Sequence, residues 1–308
     1  MLGSFLISLT FSDLIQITMS ILKSVSALIF IVFNLFNITA QSRWDKVTIT
    51  TTKLTDNTYM LVGAGGNIGV SVGEDGILII DDQFAPLTDK IVAALKQLSD
   101  KPIKYVMNTH HHGDHTGGNE NFGNLGATIM AHDNVKKRLK EKSPAIALPV
   151  ITFNDKLSVQ MNGETVVVIH VDSAHTDGDA LLYFTESNVL HTGDTYFNGR
   201  YPYMDLKSGG SVDGYINAVK TGLMLVDENT KIIPGHGALS NKAEYETFLK
   251  MLETLKANVL AEIKKGKTED EVAANNTITK TYDALDYGCC FINSEKIKRT
   301  FYRSLKKN

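Results

Sequence analysis

Four potential metal ligands stand within six positions of the sequence: His110, His112, Asp114 and His115, in the run Thr-His-His-His-Gly-Asp-His-Thr-Gly-Gly. The run directly follows the apolar segment 103–107, so we expect a loop at the end of a strand. Side chains alternate along an extended chain, which places the first two of these histidines on one side. Four of the chain's nine histidines fall in this short stretch, and this clustering indicates a metal site.

Further candidate ligands occur downstream, each just after an apolar segment that predicts a strand. They are His175 after 166–171, Asp194 after 189–192, and His236 after 231–233. Each stands among glycine, aspartate or proline residues that favour turns, where an irregular backbone can aim a side chain into a shared pocket. A His-rich surface loop, the alternative for the first run alone, does not explain this wider pattern.

The order His-x-His-x-Asp-His, then His, then Gly-Asp, then Gly-His-Gly resembles the metallo-β-lactamase superfamily of zinc hydrolases, over roughly residues 41–308. The resemblance implies an α/β protein, an αββα four-layer sandwich with C-terminal helices and a metal pair at one edge. It also implies two Zn²⁺ ions per chain. One would be held by His110, His112 and His175, the other by Asp114, His115 and His236, with Asp194 bridging both.

Two zinc ions about 3.5 to 4 Å apart can share a hydroxide, because zinc lowers the pKa of bound water to about 7. One ion then polarises a substrate carbonyl while the hydroxide attacks it. Asp114 is the candidate catalytic residue, since it can orient the hydroxide as well as bind metal. The expected function is hydrolysis of a small-molecule ester, lactone, thioester or amide, without a serine or cysteine nucleophile.

Two other functions stay open. Hydrolysis of β-lactam antibiotics is one, although the resemblance places an aspartate, Asp194, where true β-lactamases of the superfamily have Cys, Ser or Asn. The other is a mononuclear iron dioxygenase acting on a persulfide, with iron at His110, His112 and His175. That reaction would leave His236 without a role, so the complete ligand set favours zinc.

Several residues near the motifs are candidates for supporting roles. Arg200 and Lys207 lie in an aromatic and basic segment after Asp194 and can hold a substrate carboxylate, unless that segment is only a rim loop. Asn67 is a further substrate-binding candidate, in a glycine-rich stretch, 63–67, that can form a flexible flap. Asp81 can orient a ligand histidine, with Asp82 as its competitor.

Two more assignments concern residues outside the predicted ligand set. His111 alternates away from its neighbours and is expected to be structural. The adjacent Cys289 and Cys290 are the chain's two cysteines. Sequence neighbours cannot close a loop as ordinary disulfides do, so we expect small core-lining residues.

Composition limits the classes of partner. The 308-residue chain is 43% hydrophobic with a net charge of −3, which suits a globular protein and gives no general attraction to nucleic acid. The basic stretch 136–140 is expected to be the solvated face of a short helix. The expected partner is therefore a small-molecule substrate, while the oligomeric state is open.

The first forty residues are predicted to be a secretory signal. Lys23 precedes an apolar run, 25–36, and Ala40 provides a small residue for cleavage before Gln41. Translation starting at Met19 would give a signal of ordinary design. A run of about twelve apolar residues is shorter than the roughly twenty that span a bilayer, so we expect a periplasmic or secreted protein without stable membrane association after cleavage. An uncleaved anchor is the alternative.

The predicted secondary structure alternates strands with helices in a single domain, residues 41–308. Strands are expected at 47–51, 58–62, 68–72, 77–80, 103–107, 166–171, 181–184, 189–192 and 231–233. Helices are expected at 86–98, 212–225 and 242–265, followed by one more that begins with a capping box of Thr268 and Glu271.

Overall fold

The computed structural model describes Met19 and residues 43–306. The predicted export signal, apart from Met19, lies outside these residues, so the signal and the periplasmic or secreted location stay predictions. The chain divides into one unit, Met1–Lys46, and a second, Val47–Asn308, which contains all the candidate site residues. Among the described residues, no helix has the length and apolarity needed to cross a membrane.

Within residues 43–306 the strands form two sheets. The first sheet contains, in spatial order, β1 (Thr50–Lys53), β2 (Thr58–Val62), β3 (Ile68–Gly73), β4 (Gly76–Ile80), β5 (Ile103–Met107), β6 (Thr128–His132) and β7 (Ile151–Phe153). The second contains β8 (Lys156–Met161), β9 (Glu164–His170), β10 (Ala180–Phe184), β11 (Val189–His191) and β12 (Lys231–Ile233). Neighbouring strands pair in parallel from β4 to β7 and between β11 and β12, and antiparallel elsewhere.

The two sheets face each other across an apolar core. Met60, Leu78 and Met107 of the first sheet belong to the same buried cluster as Val168 and Leu182 of the second. All five residues of β4 are buried, which is the pattern of a strand covered on both faces. A β4 sequence without polar alternation therefore predicts a layer on each side of the first sheet.

Helices cover the outer faces. They are α1 (Thr88–Lys96), α2 (Gly113–Thr116), α3 (Asn119–Asn124), α4 (Asp133–Leu139), α5 (Val212–Leu223), α6 (Lys242–Lys264), α7 (Glu269–Ala274), α8 (Lys280–Asp283) and α9 (Ser294–Leu305). On the second sheet, α6 buries Tyr245, Phe248 and Leu252, whose spacing of three and four residues forms one stripe of a helix. These residues join a core with Leu181 and Leu190 of the sheet.

The predicted α/β sandwich is confirmed, with several corrections in detail. The first strand begins at Thr50 instead of Val47 because its partner, β2, ends at Val62, opposite Thr50. The expected capping box of Thr268 and Glu271 is present. Three strands, β6 to β8, and four helices, α2, α3, α8 and α9, were not predicted. The strands and the first three of these helices are at most six residues long and carry a weak periodic signal. The last helix, α9, has a clear stripe of buried residues, Ile297, Phe301 and Leu305, so its sequence pattern was sufficient to predict it.

Replacing Phe248 by Ala should lower the free energy of unfolding by about 3 to 5 kcal/mol, because the ring is 1% exposed in the helical core. Lys250→Ala on the exposed side of the same helix is the matched control, expected within about 0.5 kcal/mol. Urea unfolding of both variants measures the difference. Equal losses would mean that α6 does not pack as described.

Candidate metal centre

The ligand run lies at the end of β5, where the strand gives way to a loop and a one-turn helix. Thr109 is fixed there by Asp81, whose carboxylate accepts hydrogen bonds from the Thr109 amide and hydroxyl, both at 2.8 Å. His112 has extended backbone just before α2, and α2 then carries Asp114 and His115. The change from strand to helix turns four side chains of one short segment toward the same space.

Three histidine nitrogens meet in the first cluster. The Nδ1 atom of His112 lies 3.1 Å from Nε2 of His110 and 2.9 Å from Nε2 of His175. Oδ2 of Asp194 lies 3.8 Å and 3.5 Å from those two Nε2 atoms, respectively. The four groups lie close enough to bind one ion.

The outer hydrogen bonds of these rings fix which nitrogen carries the proton. His175 Nδ1 lies 2.8 Å from the Tyr203 carbonyl, and His112 Nε2 lies 3.1 Å from Asp205 Oδ2; both oxygens only accept, so both nitrogens donate. The Thr109 hydroxyl donates to Asp81 and therefore accepts from His110 Nδ1, at 3.0 Å. Each inner nitrogen thus presents a lone pair.

Lone pairs that face each other at such distances repel unless a cation lies between them. The inner nitrogens of His110, His112 and His175 therefore fit a metal ion, since neutral imidazole is a common metal ligand. Burial also lowers the pKa of His175 to about 4, which keeps its ring neutral at physiological pH. Both features favour metal binding.

The second cluster contains Asp114, His115 and His236. Nε2 of His236 lies 3.3 Å from Asp114 Oδ2 and 3.3 Å from Asp194 Oδ1. Nε2 of His115 lies 3.1 Å from Asp194 Oδ1, and among the described residues neither of these two buried atoms has a hydrogen-bond partner. Their unsatisfied state fits a cation at this position as well.

The carboxylates give the second cluster an excess of negative charge. Burial disfavours the charged form of His236, but Asp194 and Asp114 raise its pKa to about 9. Positive charge is therefore stabilised between the two carboxylates, and a divalent ion supplies such charge.

Asp194 lies between the clusters, with Oδ2 toward the first and Oδ1 toward the second. Asp194 lies in a 3₁₀ turn, Gly193–Thr195. The Tyr215 hydroxyl fixes this turn by donating a hydrogen bond to the Asp194 carbonyl at 2.6 Å. A Cβ at Gly235 would stand 2.2 Å from Asp194 Oδ1. The absence of a side chain at Gly235 therefore allows the β12 loop to close over the carboxylate.

Of the predicted supporting residues, Asp81 contacts a candidate ligand: its Oδ2 lies 2.7 Å from His115 Nδ1. Asp82 instead accepts a hydrogen bond from the Gly118 amide. Sequence reasoning missed Asp205, the partner of His112, because it is one of several polar residues in a long loop. Burial opposes its ionisation, but hydrogen bonds from Ser208 and His112 lower the pKa of Asp205 to about 2.

The expected flap at 63–67 is wrong, because this turn is packed into the site. A Cβ at Gly66 would stand 2.1 Å from His115 Cε1, and the Gly66 amide donates to the Asp114 carbonyl at 3.0 Å. Asn67 is buried, and its amide group donates to the Pro234 and Gly237 carbonyls at 2.8 and 3.0 Å. Asn67 therefore ties the turn to the His236 loop instead of binding substrate.

A cavity of 450 Å³ opens over the second cluster. Its lining includes Arg200, Asp114 and His236, with apolar walls of Phe84, Phe197, Tyr201, Tyr203, Phe291 and Ile292. Arg200 therefore lies at the same cavity as Asp114 and His236, and its role in substrate binding stays a prediction. Lys207 lines a separate cavity of 670 Å³ behind Tyr203, so the structure does not bring it to the metal clusters.

The assignments of His111 and of the two cysteines remain to be compared with the structure. His111 lies in a cavity with Arg138 and Asp177, outside the two clusters around Asp194, although its position beside His112 and Asp205 forms a further possible ligand group. Cys289 and Cys290 are exposed and joined in a disulfide, so the expectation of core-lining thiols is wrong. They belong to a surface loop between α8 and α9, where no core forms around them.

Removing the Asp205 carboxylate should weaken metal binding by about 10- to 100-fold, because His112 loses the acceptor that fixes its tautomer. Asp205→Ala is compared with Asp89→Ala, an exposed position on α1. Competition with a chromophoric chelator gives both affinities. The same affinity in the two variants would contradict the orienting role of Asp205.

Gly66→Ala should reduce metal content and melting temperature, since the added carbon meets the His115 ring at 2.1 Å. Gly113→Ala is the matched control, because a Cβ there meets nothing within 4 Å. Elemental analysis and thermal unfolding test the pair. If both variants keep the metal content of the parent protein, the turn does not support His115.

Curated relatives match part of this chain. The 2,4-dinitroanisole O-demethylase subunit alpha of Nocardioides sp. (strain JS1661) is 24% identical over 70% of this chain and 65% of its own length. The hydroxyacylglutathione hydrolase of Pelagibacter ubique is 30% identical over 46% of this chain and 56% of its own length. The chain thus spans less than two thirds of these relatives.

Solved structures share the fold at low sequence identity. A metallo-beta-lactamase from Pontibacter korlensis has a TM-score of 0.60 and 17% identity, covering 67% of this chain and 99% of its own. The sec-alkylsulfatase Pisa1 from Pseudomonas sp. has a TM-score of 0.64 and 16% identity, covering 83% and 50%. The family model of the metallo-beta-lactamase superfamily matches residues 55–259. Together with the two ligand clusters at the edge of the sheets, this match confirms the expected family: the chain belongs to the metallo-beta-lactamase superfamily.

Proposed function

We propose that the protein is a metal-dependent hydrolase that uses two zinc ions to cleave a small-molecule carboxylic thioester or ester. The observation that carries the proposal is the position of Asp194. Its two oxygens face two separate groups of ligands, with His110 and His175 on one side and His115 and His236 on the other. A carboxylate in this position suits a bridge between two ions.

A thioester is the favoured substrate because of the chain's relatives. Several are named hydroxyacylglutathione hydrolase. A hydroxyacylglutathione is a thioester, which joins an acyl group to the thiol of glutathione. These relatives are at most 33% identical and match between 35% and 61% of this chain, so the acyl group and the thiol of the substrate are part of the proposal. Esters and lactones share the same carbonyl chemistry.

The candidate catalytic residue, Asp114, borders the cavity. Burial opposes its ionised form, but His115 and the hydrogen bond with His236 keep the pKa of Asp114 below its usual value. At neutral pH the carboxylate can therefore accept a hydrogen bond from the attacking water and orient it. Bound zinc would supply a lowered pKa for that water and a Lewis acid for the carbonyl.

The lining of the cavity supports the proposed substrate class. The rings of Phe197 and Tyr203 present apolar surface beside the clusters, and Arg200 supplies a positive charge at the same cavity. An acyl group with an apolar part and an anionic substituent fits this lining. The guanidinium of Arg200 can pair with a carboxylate in two hydrogen bonds.

The arrangement also bears on the alternative functions. A mononuclear iron dioxygenase would need only the first cluster, whereas Asp114, His115 and His236 form a second group on Asp194, which favours two ions. Hydrolysis of β-lactams gains no support from the two structural neighbours described above, because an identity of 17% or less carries information on the fold alone.

Asp114→Ala should lower kcat for a thioester by about 100-fold or more, since it removes the group that orients water. His111→Ala is the neighbouring control, and it leaves both clusters around Asp194 complete. Steady-state kinetics with an acyl-glutathione test both variants. Similar losses in correctly folded protein would contradict the role of Asp114.

Elemental analysis of the purified protein should find about two zinc ions per chain, and removal with a chelator should abolish hydrolysis until zinc is restored. Thioesters, lactones and β-lactams are compared in one panel. One iron and no zinc per chain would overturn the proposal in favour of oxygen chemistry. Faster turnover of β-lactams than of thioesters would replace the proposed substrate class.

A further inference from the structure

The disulfide between Cys289 and Cys290 lies beside the two clusters of candidate metal ligands. Cys290 lines the 450 Å³ cavity together with Asp114, Asp194 and His236, and both cysteines are exposed. A buried disulfide is inert toward thiols, whereas an accessible one can undergo exchange. This disulfide is therefore open to molecules that enter the cavity.

The loop holding the disulfide is anchored on both sides. Before the cysteines, the Tyr287 carbonyl accepts a hydrogen bond from the Tyr201 amide at 2.9 Å. After them, Ile292 is buried in the helical core, and the side chain of Asn293 caps α9. Opening the S–S bond thus leaves the ends of the loop in place, so exchange does not require the domain to unfold.

Two cations lie near this loop. Lys296 donates a hydrogen bond to the Phe291 carbonyl at 3.0 Å and lies over the Phe291 ring at 5.1 Å. Arg200 lines the same cavity as Cys290. Positive charge favours thiolates, which are the attacking species in exchange.

We propose that Cys290, paired with Cys289, is a thiol–disulfide exchange site that takes up the thiol released by hydrolysis in the cavity. The inference rests on the proposed function, because hydrolysis of a thioester yields a carboxylic acid and a thiol. It adds a covalent reaction that the metal centre does not perform. The cavity would then hold both the source of a thiol and an acceptor for it.

The reaction balances without an external oxidant. The released thiolate attacks Sγ of Cys290, and a new S–S bond forms while the Cys290–Cys289 bond breaks. The electron pair of the broken bond goes to Sγ of Cys289, which takes up a proton. Attack by the Cys289 thiolate on the mixed disulfide reverses the reaction and expels the thiol.

A thiol joined to Cys290 would lie in the cavity and slow hydrolysis. Phe291 and Ile292 follow Cys290 on the same wall, and the Phe291 ring stands 5.4 Å from the Tyr203 ring. A thiol bound to Cys290 would occupy space between these walls and the clusters. Accumulated product would thereby slow further hydrolysis.

The first test uses metal-loaded protein purified without reductant and reduced glutathione as the probe. After short exposure, acid quenching and alkylation with N-ethylmaleimide, peptide mass mapping should find glutathione on Cys290 and the alkyl group on Cys289. A Cys289→Ser, Cys290→Ser double variant should carry neither. Two free thiols before treatment, or no glutathione on Cys290 at any time, would overturn the proposal.

The second test treats single variants with oxidised glutathione and compares each with its own untreated sample. In Cys289→Ser, the adduct on Cys290 should raise KM for a thioester at least roughly tenfold, which is about 1.4 kcal/mol in binding. In Cys290→Ser, the adduct on Cys289 should change KM less than about twofold. Equal effects would refute the placement of Cys290 in the substrate path.

The two proposals fail separately. If glutathione is found on Cys290 but no variant hydrolyses thioesters, the exchange chemistry stands, and its link to a released thiol is refuted together with the proposed function. If thioesters are hydrolysed and no adduct forms on Cys290, the proposed function stands and the exchange site is refuted.

Discussion

The structure depends on the crowding of histidine nitrogens, whose lone pairs face one another, around the buried carboxylate of Asp194. The inner nitrogens of His112 and His175 approach within 2.9 Å, and Nε2 of His115 stands 3.1 Å from Asp194 Oδ1. Arrangements of this kind are unfavourable in isolation, because each group repels the next. The two sheets, the close glycine contacts and the outer hydrogen bonds hold these groups in place. A bound cation would remove the repulsion, because the facing lone pairs would then coordinate it.

The hydrogen bonds on the outer side of the histidine rings select the tautomer that can bind a metal. Each of the four ligands His110, His112, His115 and His175 has an oxygen within 3.1 Å of its outer nitrogen: a hydroxyl for His110, a carbonyl for His175 and carboxylates for the other two. A carbonyl or carboxylate cannot donate, so it selects the tautomer with the lone pair inward. The charged acceptors also hold the orientation of the rings that donate to them, which strengthens metal binding.

The ligand residues could be predicted from the sequence because each is a His or Asp directly after an apolar strand. The α/β class followed from the same strands and from the stripe of α6. Asn67 was assigned to substrate from its place in a glycine-rich stretch, and Lys207 from the aromatic and basic segment after Asp194. The burial of Asn67 and the direction of the loop that carries Lys207 depend on tertiary contacts. Asp205 was missed for the same reason, since its pairing with His112 joins residues 93 positions apart.

The ligands are divided between the sheets. The segment after β5 of the first sheet supplies His110, His112, Asp114 and His115, while loops after β9, β11 and β12 of the second supply His175, Asp194 and His236. A bound ion is therefore a cross-link between the two halves of the sandwich. Binding to the folded form alone stabilises that form by mass action, about 2.7 kcal/mol when free metal is 100 times its dissociation constant. The supply of metal where the chain folds would then set how much of it persists in the folded state, apart from any effect on turnover.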